Sequence, residues 1–230
     1  MGGNLVSAWL SDPLIVYALI LSGLLFSGIF ILFLTIVIKH RQRIKSVRIQ
    51  HQFIRELEKA LECTKEQRDI TNEIHKINRL IRLHKKDIAY GWVRLLEKTP
   101  QNERQQYINI AKQTEMMHCI PHCLKKEGLA EKCIAIEAIG LTNLAEYQTA
   151  LVQFTQSPAL APYACIALAR LSGRDALPQI IQSYNLGVLS TTQALSALVE
   201  IPQKQVEQLM AESGGTALPK SLQEYLVEST

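Results

Sequence analysis

The sequence predicts an all-α protein that consists of one N-terminal transmembrane helix, a helical stalk and a short α-solenoid. Three observations favour this fold class: a long apolar run without charges, amphipathic helical spacing after it, and a helix-sized motif that recurs in the second half. A chain of 230 residues has room for a membrane anchor and one domain of ordinary size. The predicted segments are an extracytoplasmic N-terminus at 1–12, a transmembrane helix at 13–38, a stalk at 39–98 and a repeat domain at 99–230.

The apolar run covers residues 13–38 and contains no Asp, Glu, Lys, Arg or His. About 20 mostly apolar residues cross the roughly 30 Å hydrocarbon layer of a bilayer, so this run is long enough to span it with some tilt. A cleaved signal peptide is the alternative, but it needs basic residues before a shorter apolar core. The preceding residues contain no Lys or Arg and carry Asp12, so a transmembrane helix is the favoured interpretation.

Basic residues follow the apolar run and predict its orientation, because positive charges next to a transmembrane helix stay on the cytoplasmic side. We therefore expect a single-pass protein of the inner (plasma) membrane, with the N-terminus outside and the C-terminal domain in the cytoplasm. Trp9 and Tyr17 near the outer end agree with an interfacial position. Each nearby basic side chain adds about 1 kcal/mol of attraction to anionic headgroups. The predicted membrane-surface residues are Lys39, Arg41, Arg43, Lys45 and Arg48.

The net charge of +4 is unevenly distributed along the chain. Residues 49–129 carry fifteen basic and eleven acidic side chains, whereas residues 130–230 carry five basic and nine acidic ones. No aromatic residues are interleaved with the positive excess, as single-strand binding requires, so we expect no nucleic-acid partner. Five cysteines are an odd number in a domain assigned to the cytoplasm, and we expect reduced, mostly buried thiols.

Residues 39–98 have amphipathic helical spacing, with no Pro or Gly between Lys39 and Tyr90. They form either a stalk or coiled coil that pairs with another chain, or helices that fold back and begin the domain core. Gln50 and Thr64 interrupt the heptads, which favours packed or partly exposed helices and leaves homo-oligomerisation open. A turn near 63–69 is predicted to separate two halves. Their apolar stripes are Ile44, Val47, Ile54, Leu57 and Leu61, then Ile70, Ile74, Ile77, Ile81 and Ile88.

A basic cluster lies on the second half of this stretch and consists of Arg79, Arg82, Lys85 and Lys86. Such a cluster is usually a solvated helix face. The alternative interpretation is a second contact with lipid headgroups or with an acidic partner.

A motif of the form Ala-apolar-x-x-apolar recurs at 135–139, 167–171 and 194–198. A turn and a second helical stretch follow each copy, at 144–156, 176–184 and 203–213. Paired helices at a period near 30 to 40 residues are typical of an α-solenoid, in which each unit buries its apolar face by stacking on its neighbours. Alanine at the inner positions permits close approach of the helices. The final stretch at 219–228 is predicted to be a short capping helix.

These repeats resemble the HEAT-repeat family, in which two antiparallel helices per unit stack into a curved solenoid. The matching stretches are CIAIEAIGLTNLAEYQTALVQF from Cys133 and CIALARLSGRDALPQII from Cys165, with Asn143 and Asp175 where the family often has an acidic turn residue. A weaker unit at 103–124 precedes them, and the resemblance covers about residues 100–213. It implies an architecture and no particular reaction.

The order of parts, a single N-terminal anchor followed by a short HEAT solenoid, is similar to small bacterial inner-membrane HEAT-repeat proteins. Those proteins are associated with glycosyltransferases of exopolysaccharide systems. The resemblance implies that a polysaccharide-synthesis glycosyltransferase complex is the partner at the cytoplasmic face.

The side-chain types of a metal site occur together at His118, Cys119, His122 and Cys123. Zinc needs four converging ligands. Pro121 is predicted to begin a new helix, which places the first two of these residues in a turn and breaks their shared helix face. We therefore expect buried cysteines and turn histidines, and neither a metal nor a cofactor.

The sequence favours a non-catalytic, membrane-anchored adaptor or scaffold that docks a protein partner through its repeats. It contains no phosphate loop and no GxGxxG, HExxH or GxSxG motif. The predicted partner contacts are Glu137, Arg170, Arg174 and Gln193. A second hypothesis is a membrane-bound enzyme or a metal or redox sensor that uses the cluster at 118–123. A third is a homo-oligomeric membrane scaffold.

Overall fold

The structure, a computed structural model, describes residues 13–125, 128–202, 204, 205, 208 and 222. The regular elements in these residues are helices, and no strand occurs among them, which confirms the all-α prediction. Two 3₁₀ turns, Ala145–Tyr147 and Gly173–Ala176, precede α7 and α9. The α-helices of the described ranges are α1 Pro13–Lys65, α2 Thr71–Leu83, α3 Lys85–Lys98, α4 Gln101–Ala111, α5 Met116–Leu124, α6 Leu129–Thr142, α7 Gln148–Phe154, α8 Ala161–Ser172, α9 Leu177–Asn185 and α10 Thr191–Val199.

The chain divides into two compact units, Met1–Arg48 and Ile49–Thr230. In the first unit most apolar side chains of α1 are exposed, and none of its most apolar stretch is buried. By length and composition, α1 is the one helix in the described residues that could cross a membrane. The predicted extracytoplasmic segment at 1–12, with Trp9, lies outside the described residues.

The second unit begins within α1. Ile49, Phe53, Leu57 and Ala60 are buried there, at spacings of four, four and three residues. This spacing places them on one helix face, as expected for a helix that contributes to a core. The last four turns of α1 therefore pack into the second unit.

A turn at 66–70 connects α1 to α2. Gln67 in this turn adopts a left-handed backbone conformation with φ of 56°. The Asp69 carboxylate accepts hydrogen bonds from the hydroxyl and from the backbone N–H of Thr71, the latter at 2.9 Å. It therefore satisfies one of the N–H groups that the start of a helix leaves without an intrahelical partner.

Four helices of the second unit pack side by side in chain order: α3 contacts α6, α6 contacts α8, and α8 contacts α10. The three copies of the alanine motif lie in α6, α8 and α10. The intervening shorter helices lie against this row: α5 packs on α3 and α6, α7 packs on α8, and α9 packs on α8 and α10. Repeated sequence and repeated packing therefore coincide.

Small residues set the distance between α6 and α8. Ala135, Ala138, Ala164 and Ala167 are fully buried. A Cβ atom built on Gly140 would lie 2.8 Å from the Cα and 2.9 Å from the Cβ of Ala167, closer than packed carbon atoms approach. The two backbones therefore meet where only a glycine fits on α6.

One buried hydrogen bond joins α3 to α6. The indole N–H of Trp92 donates to the hydroxyl of Thr142 at 2.9 Å, and both residues are buried. Trp92 is the largest fully buried side chain of the described core, so this contact gives its polar atom a partner. The bond fixes how the two helices face each other.

The predicted helical stretches at 203–213 and 219–228 lie outside the described residues, except for Lys204, Gln205, Gln208 and Leu222. Leu222 is fully buried and belongs to the same core as the helices before it. Pro162 and Pro178 lie in the first turns of α8 and α9, where the missing N–H has no intrahelical acceptor.

Candidate functional site

The structure brings two of the four predicted partner contacts together. Glu137 on α6 and Arg170 on α8 lie on adjacent helices, both half-buried, and their charges interact. Arg174 lies in the 3₁₀ turn before α9, where its backbone N–H donates to Gln205 Oε1 at 3.1 Å. The side chain of Gln193 accepts a hydrogen bond from the Ser190 N–H at 2.9 Å and completes a capping box at the start of α10.

Two further acidic residues extend the Glu137–Arg170 pair into what we call the charged row: Glu97, Glu137, Arg170 and Glu200. Glu97 lies at the end of α3, and Glu200 caps the end of α10. Arg170 Nη2 donates to Glu200 Oε1 at 2.6 Å. The row therefore crosses all four of the helices that pack side by side. The sequence-based prediction missed Glu97 and Glu200.

The charges in this row are unbalanced. Arg170 is bonded to Glu200 and its charge also acts on Glu137, while Glu97 is exposed at the end of α3. Burial raises the pKa of Glu137, the negative charge of Glu97 raises it further, and Arg170 only partly opposes these effects. Ionisation of Glu137 is therefore less favourable in the folded protein than in water.

Arg170 is also incompletely satisfied. Its Nε atom is buried and has no hydrogen-bond partner in the described structure, while 21% of its side chain remains exposed. A guanidinium group normally donates through several of its N–H groups. Arg170 is thus held in the row by one strong contact, to Glu200.

Apolar and aromatic side chains lie next to the charged row on the same helix faces. Ile166 and Tyr163 precede Arg170 by one and two turns of α8, and Ile134 precedes Glu137 by three residues on α6. Tyr163 is 36% exposed, and the two isoleucines are half-buried. Together with the charged row, these three residues form what we call the docking face.

The basic cluster of the second unit is partly committed to internal ion pairs. Arg82 Nε donates to both carboxylate oxygens of Glu115, at 2.8 and 2.9 Å, and Lys86 pairs with Glu131. The hydrogen bonds from Arg82 hold the pKa of Glu115 below its usual range. Arg79 and Lys85 remain exposed. The cluster therefore joins α2 to α5 and α3 to α6 as well as facing solvent.

The predicted break at Pro121 is wrong, because α5 runs without interruption from Met116 to Leu124 with Pro121 inside it. Proline cannot donate to the carbonyl four residues earlier, but burial of one helix face favours the continuous helix. The buried residues of that face are Met116, Cys119, Ile120 and Cys123.

The continuous helix places His118 and His122 one turn apart at exposed positions, while Cys119 and Cys123 are buried. No group of three or more His, Cys, Asp or Glu side chains is gathered as metal ligands in the described ranges. The thiols are also poor ligands in their present state. A hydrogen bond with Cys123, and then burial, raise the pKa of Cys119 far above its usual range.

None of the five cysteines, each of which lies within the described residues, forms a disulfide. Cys119, Cys123 and Cys165 are buried, and Cys63 and Cys133 are half-buried. Burial raises the pKa of Cys165 to about 11, although a hydrogen bond with Ser183 opposes the shift. Buried thiols with a raised pKa, such as that of Cys165, are unreactive in a folded protein.

The five predicted membrane-surface residues, Lys39, Arg41, Arg43, Lys45 and Arg48, are all exposed on α1. Comparison of the chain with protein-family models, with curated proteins and with solved structures gave no match. The geometry of the described residues is therefore the basis of the functional proposal.

Proposed function

We propose that the chain is a single-pass membrane adaptor whose second unit is a short HEAT-like solenoid that docks a protein partner through the docking face. The observation that carries the proposal is the charged row, which crosses four helices packed side by side and lies next to Tyr163, Ile134 and Ile166. Protein interfaces commonly combine aromatic and arginine side chains at such partly exposed positions. The proposed role is non-catalytic.

The solenoid interpretation is supported by the coincidence of sequence repeat and helix order. Helices α6, α8 and α10 carry the three motif copies and contact one another in succession. The shorter α7 and α9 lie between them in the chain and pack on α8. Stacking of this kind is the way in which repeat proteins bury their apolar faces.

The proposed location is the inner membrane, with the second unit in the cytoplasm. Its support is the exposed apolar part of α1 together with the basic residues that follow it, from Lys39 to Arg48. Tags at the two termini test the orientation in intact spheroplasts. External protease should remove an N-terminal tag and leave a C-terminal tag. Loss of the C-terminal tag alone would indicate the opposite orientation and contradict this part of the proposal.

The resemblance in layout makes a glycosyltransferase complex of an exopolysaccharide system the first partner to test. A solenoid held at the membrane surface suits this task, because anchoring confines both proteins to the same plane and raises their effective concentration. This part of the proposal concerns the identity of the partner and not the position of the docking face.

Photocrosslinking in cells tests the docking face itself. The full chain would carry p-benzoylphenylalanine in place of Tyr163, and a matched control would carry it at Gln182, an exposed position on α9. We expect a discrete heteromeric adduct from position 163 that is absent from position 182. Identical adducts at both positions, or none at 163, would contradict docking at this face.

A further inference from the structure

The basic cluster of the second unit, formed by Arg79, Arg82, Lys85 and Lys86, presents positive charge to its surroundings. Residues 71–86 contain five Lys or Arg side chains and one acidic residue, and no acidic side chain is exposed on α2. Arg79 and Lys85 are exposed. The side chains of Arg82 and Lys86 remain 67% and 58% exposed although each pairs with a carboxylate of another helix. The internal ion pairs therefore do not remove the cluster from the surface.

Hydrogen bonds hold the helices that carry this cluster together. Glu115, just before α5, accepts two hydrogen bonds from Arg82 Nε, and its backbone N–H donates to Asn78 Oδ1 at 2.7 Å. The thiol of Cys119 on α5 donates to the carbonyl oxygen of Lys85 at 3.5 Å. The end of α2 and the start of α3 are therefore both fixed to α5, and the cations that they carry form one continuous surface.

An exposed leucine lies within the cluster. Leu83, the last residue of α2, is 65% exposed and follows Arg79 by four residues, so the two side chains share one helix face. At an anionic bilayer, an apolar side chain can enter the boundary between headgroups and acyl chains while neighbouring cations stay level with the phosphates. A bilayer satisfies both kinds of side chain, whereas the carboxylates of an acidic protein segment satisfy only the cations.

We infer that the basic cluster and Leu83 form a second membrane-contact surface, which binds anionic lipid headgroups through its cations and inserts Leu83 beside them. The inference rests on the membrane anchor of the proposed function, because an anchored chain meets headgroups at a high local concentration. It concerns a surface of α2 and α3 that is separate from Tyr163 on the docking face. Each basic side chain strengthens such a contact by about fivefold.

Photocrosslinking to lipid tests this contact. The full chain, with p-benzoylphenylalanine in place of Leu83, would be reconstituted in nanodiscs of uncharged phosphatidylcholine, with or without anionic phosphatidylglycerol. The matched control carries the probe at Leu186, which is 66% exposed but lies in a stretch, 175–203, without Lys or Arg. We expect a lipid adduct, detected by mass spectrometry, from position 83 in the anionic nanodiscs. Its yield should fall as salt concentration rises and should exceed the yield from position 186.

Uncharged variants then assign the contact to the cluster. Arg79→Gln combined with Lys85→Gln removes two exposed cations and should lower the adduct yield from position 83 by about fivefold or more. The matched control, Arg94→Gln with Lys98→Gln, removes the same charge from exposed positions about 13–20 Å further along α3, which is beyond the screening length. It should leave the yield within about twofold of the wild type. Circular dichroism would verify that both variants remain folded.

Three results would overturn the inference. The first is a yield at position 83 that is the same in uncharged and anionic nanodiscs, or no higher than the yield at position 186. The second is an unchanged yield in the variant that lacks the charges of Arg79 and Lys85. The third is a discrete protein adduct from position 83 in cells that this variant abolishes, because an acidic protein would then be the occupant.

Failure of the proposed function gives different results. A full chain that does not enter nanodiscs would refute the membrane anchor, and the second contact with it. Absence of a position-specific crosslink from Tyr163 would refute docking at that face and would leave the lipid contact of the basic cluster unaffected.

Discussion

Gly140 occupies the point of closest approach between α6 and α8. Replacement by alanine would place a methyl group 2.8 Å from the Ala167 backbone, so the two helices would have to separate. We expect Gly140→Ala to lower the free energy of unfolding by about 1–3 kcal/mol, the usual cost of overpacking. Denaturant unfolding of the solubilised chain measures this change.

Gly91→Ala is the matched control for that experiment. Gly91 is also buried within a helix, but an added methyl group would make an ordinary contact of 3.4 Å with the side chain of Gln50. Alanine is favoured over glycine in helix interiors by about 0.5–1 kcal/mol. A loss of stability at Gly91 equal to that at Gly140 would show that steric contact is not the cause.

The Trp92–Thr142 hydrogen bond is a second test at the scale of single residues. Thr142→Val leaves the buried indole N–H without an acceptor, and we expect a loss of about 1–3 kcal/mol. Trp92→Phe combined with Thr142→Val removes both partners. A double-mutant cycle should therefore give a coupling energy well above zero, whereas strict additivity would mean that the bond contributes nothing.

Glu137 should make stability depend on pH. Its pKa in the folded state is raised above the reference value of 4.5, so between 4.5 and the raised pKa the folded state binds more protons than the unfolded state. Stability then falls as the pH rises through this window. Glu137→Gln should be more stable than the wild type at neutral pH and equal to it below pH 4.5, by thermal unfolding. Superimposable profiles for the two proteins would refute this expectation, and Glu146→Gln controls for the loss of one charge.

At the scale of elements, α5 contains a proline that its fold tolerates at a cost. Pro121→Ala would restore the N–H that the carbonyl of Met117 lacks, at the sixth position of the helix. An interior proline destabilises a helix by about 3 kcal/mol. Its replacement also raises the conformational entropy of the unfolded chain, and this effect cancels part of the gain in stability. We expect a net gain of about 1–2 kcal/mol on denaturant unfolding.

Pro162→Ala provides the control for the effect of chain stiffness alone. Pro162 lies in the first turn of α8, where no intrahelical N–H is lost. We expect no gain there, and a loss of at most about 1 kcal/mol. Equal gains at both prolines would indicate that the position within the helix does not matter.

The sequence predicted several elements because local signals were sufficient. The alanine motifs identified α6, α8 and α10, and the uncharged run identified the apolar part of α1. The buried face of α1 was harder to assign, because two neighbouring rows of apolar side chains on this helix could each face the core. The structure buries Ile49, Phe53 and Leu57, whereas Ile54 of the predicted stripe is half-buried. Packing against other helices, which no local pattern contains, decides between them.

The charged row could not be predicted from the sequence for a related reason. Glu97 and Glu200 are 103 positions apart in the chain, and a stack of four helices brings them into one row. Glu97 falls within the segment 39–98 that the sequence predicts to be the stalk. Only the contact between α3 and α6 places it next to Glu137. Pro121 was misjudged because burial of Cys119 and Ile120 outweighs a local rule.

At the scale of the whole molecule, the second unit has its own core and should fold without the first. Its core residues run from Ile49 to Leu222 within the described part of the chain. We expect the fragment 49–230 to be recovered without detergent, to be helical by circular dichroism and to unfold cooperatively. The full chain, with its exposed apolar helix, should require detergent or lipid.

Two outcomes would contradict that expectation. One is a fragment that aggregates or unfolds without cooperativity, which would mean that the preceding residues contribute to the second unit. The other is a full chain that remains monomeric in buffer alone, which would remove the support for a membrane-spanning α1. Analytical ultracentrifugation of both proteins distinguishes these outcomes.

The three buried cysteines, which form no disulfide, can report local unfolding of the protein. Cys119 and Cys123 lie on the buried face of α5, and Cys165 is buried on α8, so the thiols report on two different helices of the core. A thiol reagent should reach them only when that helix detaches, and the mass of the modified peptides would then identify it. Labelling rates would thus map the order in which helices leave the core, without any added probe.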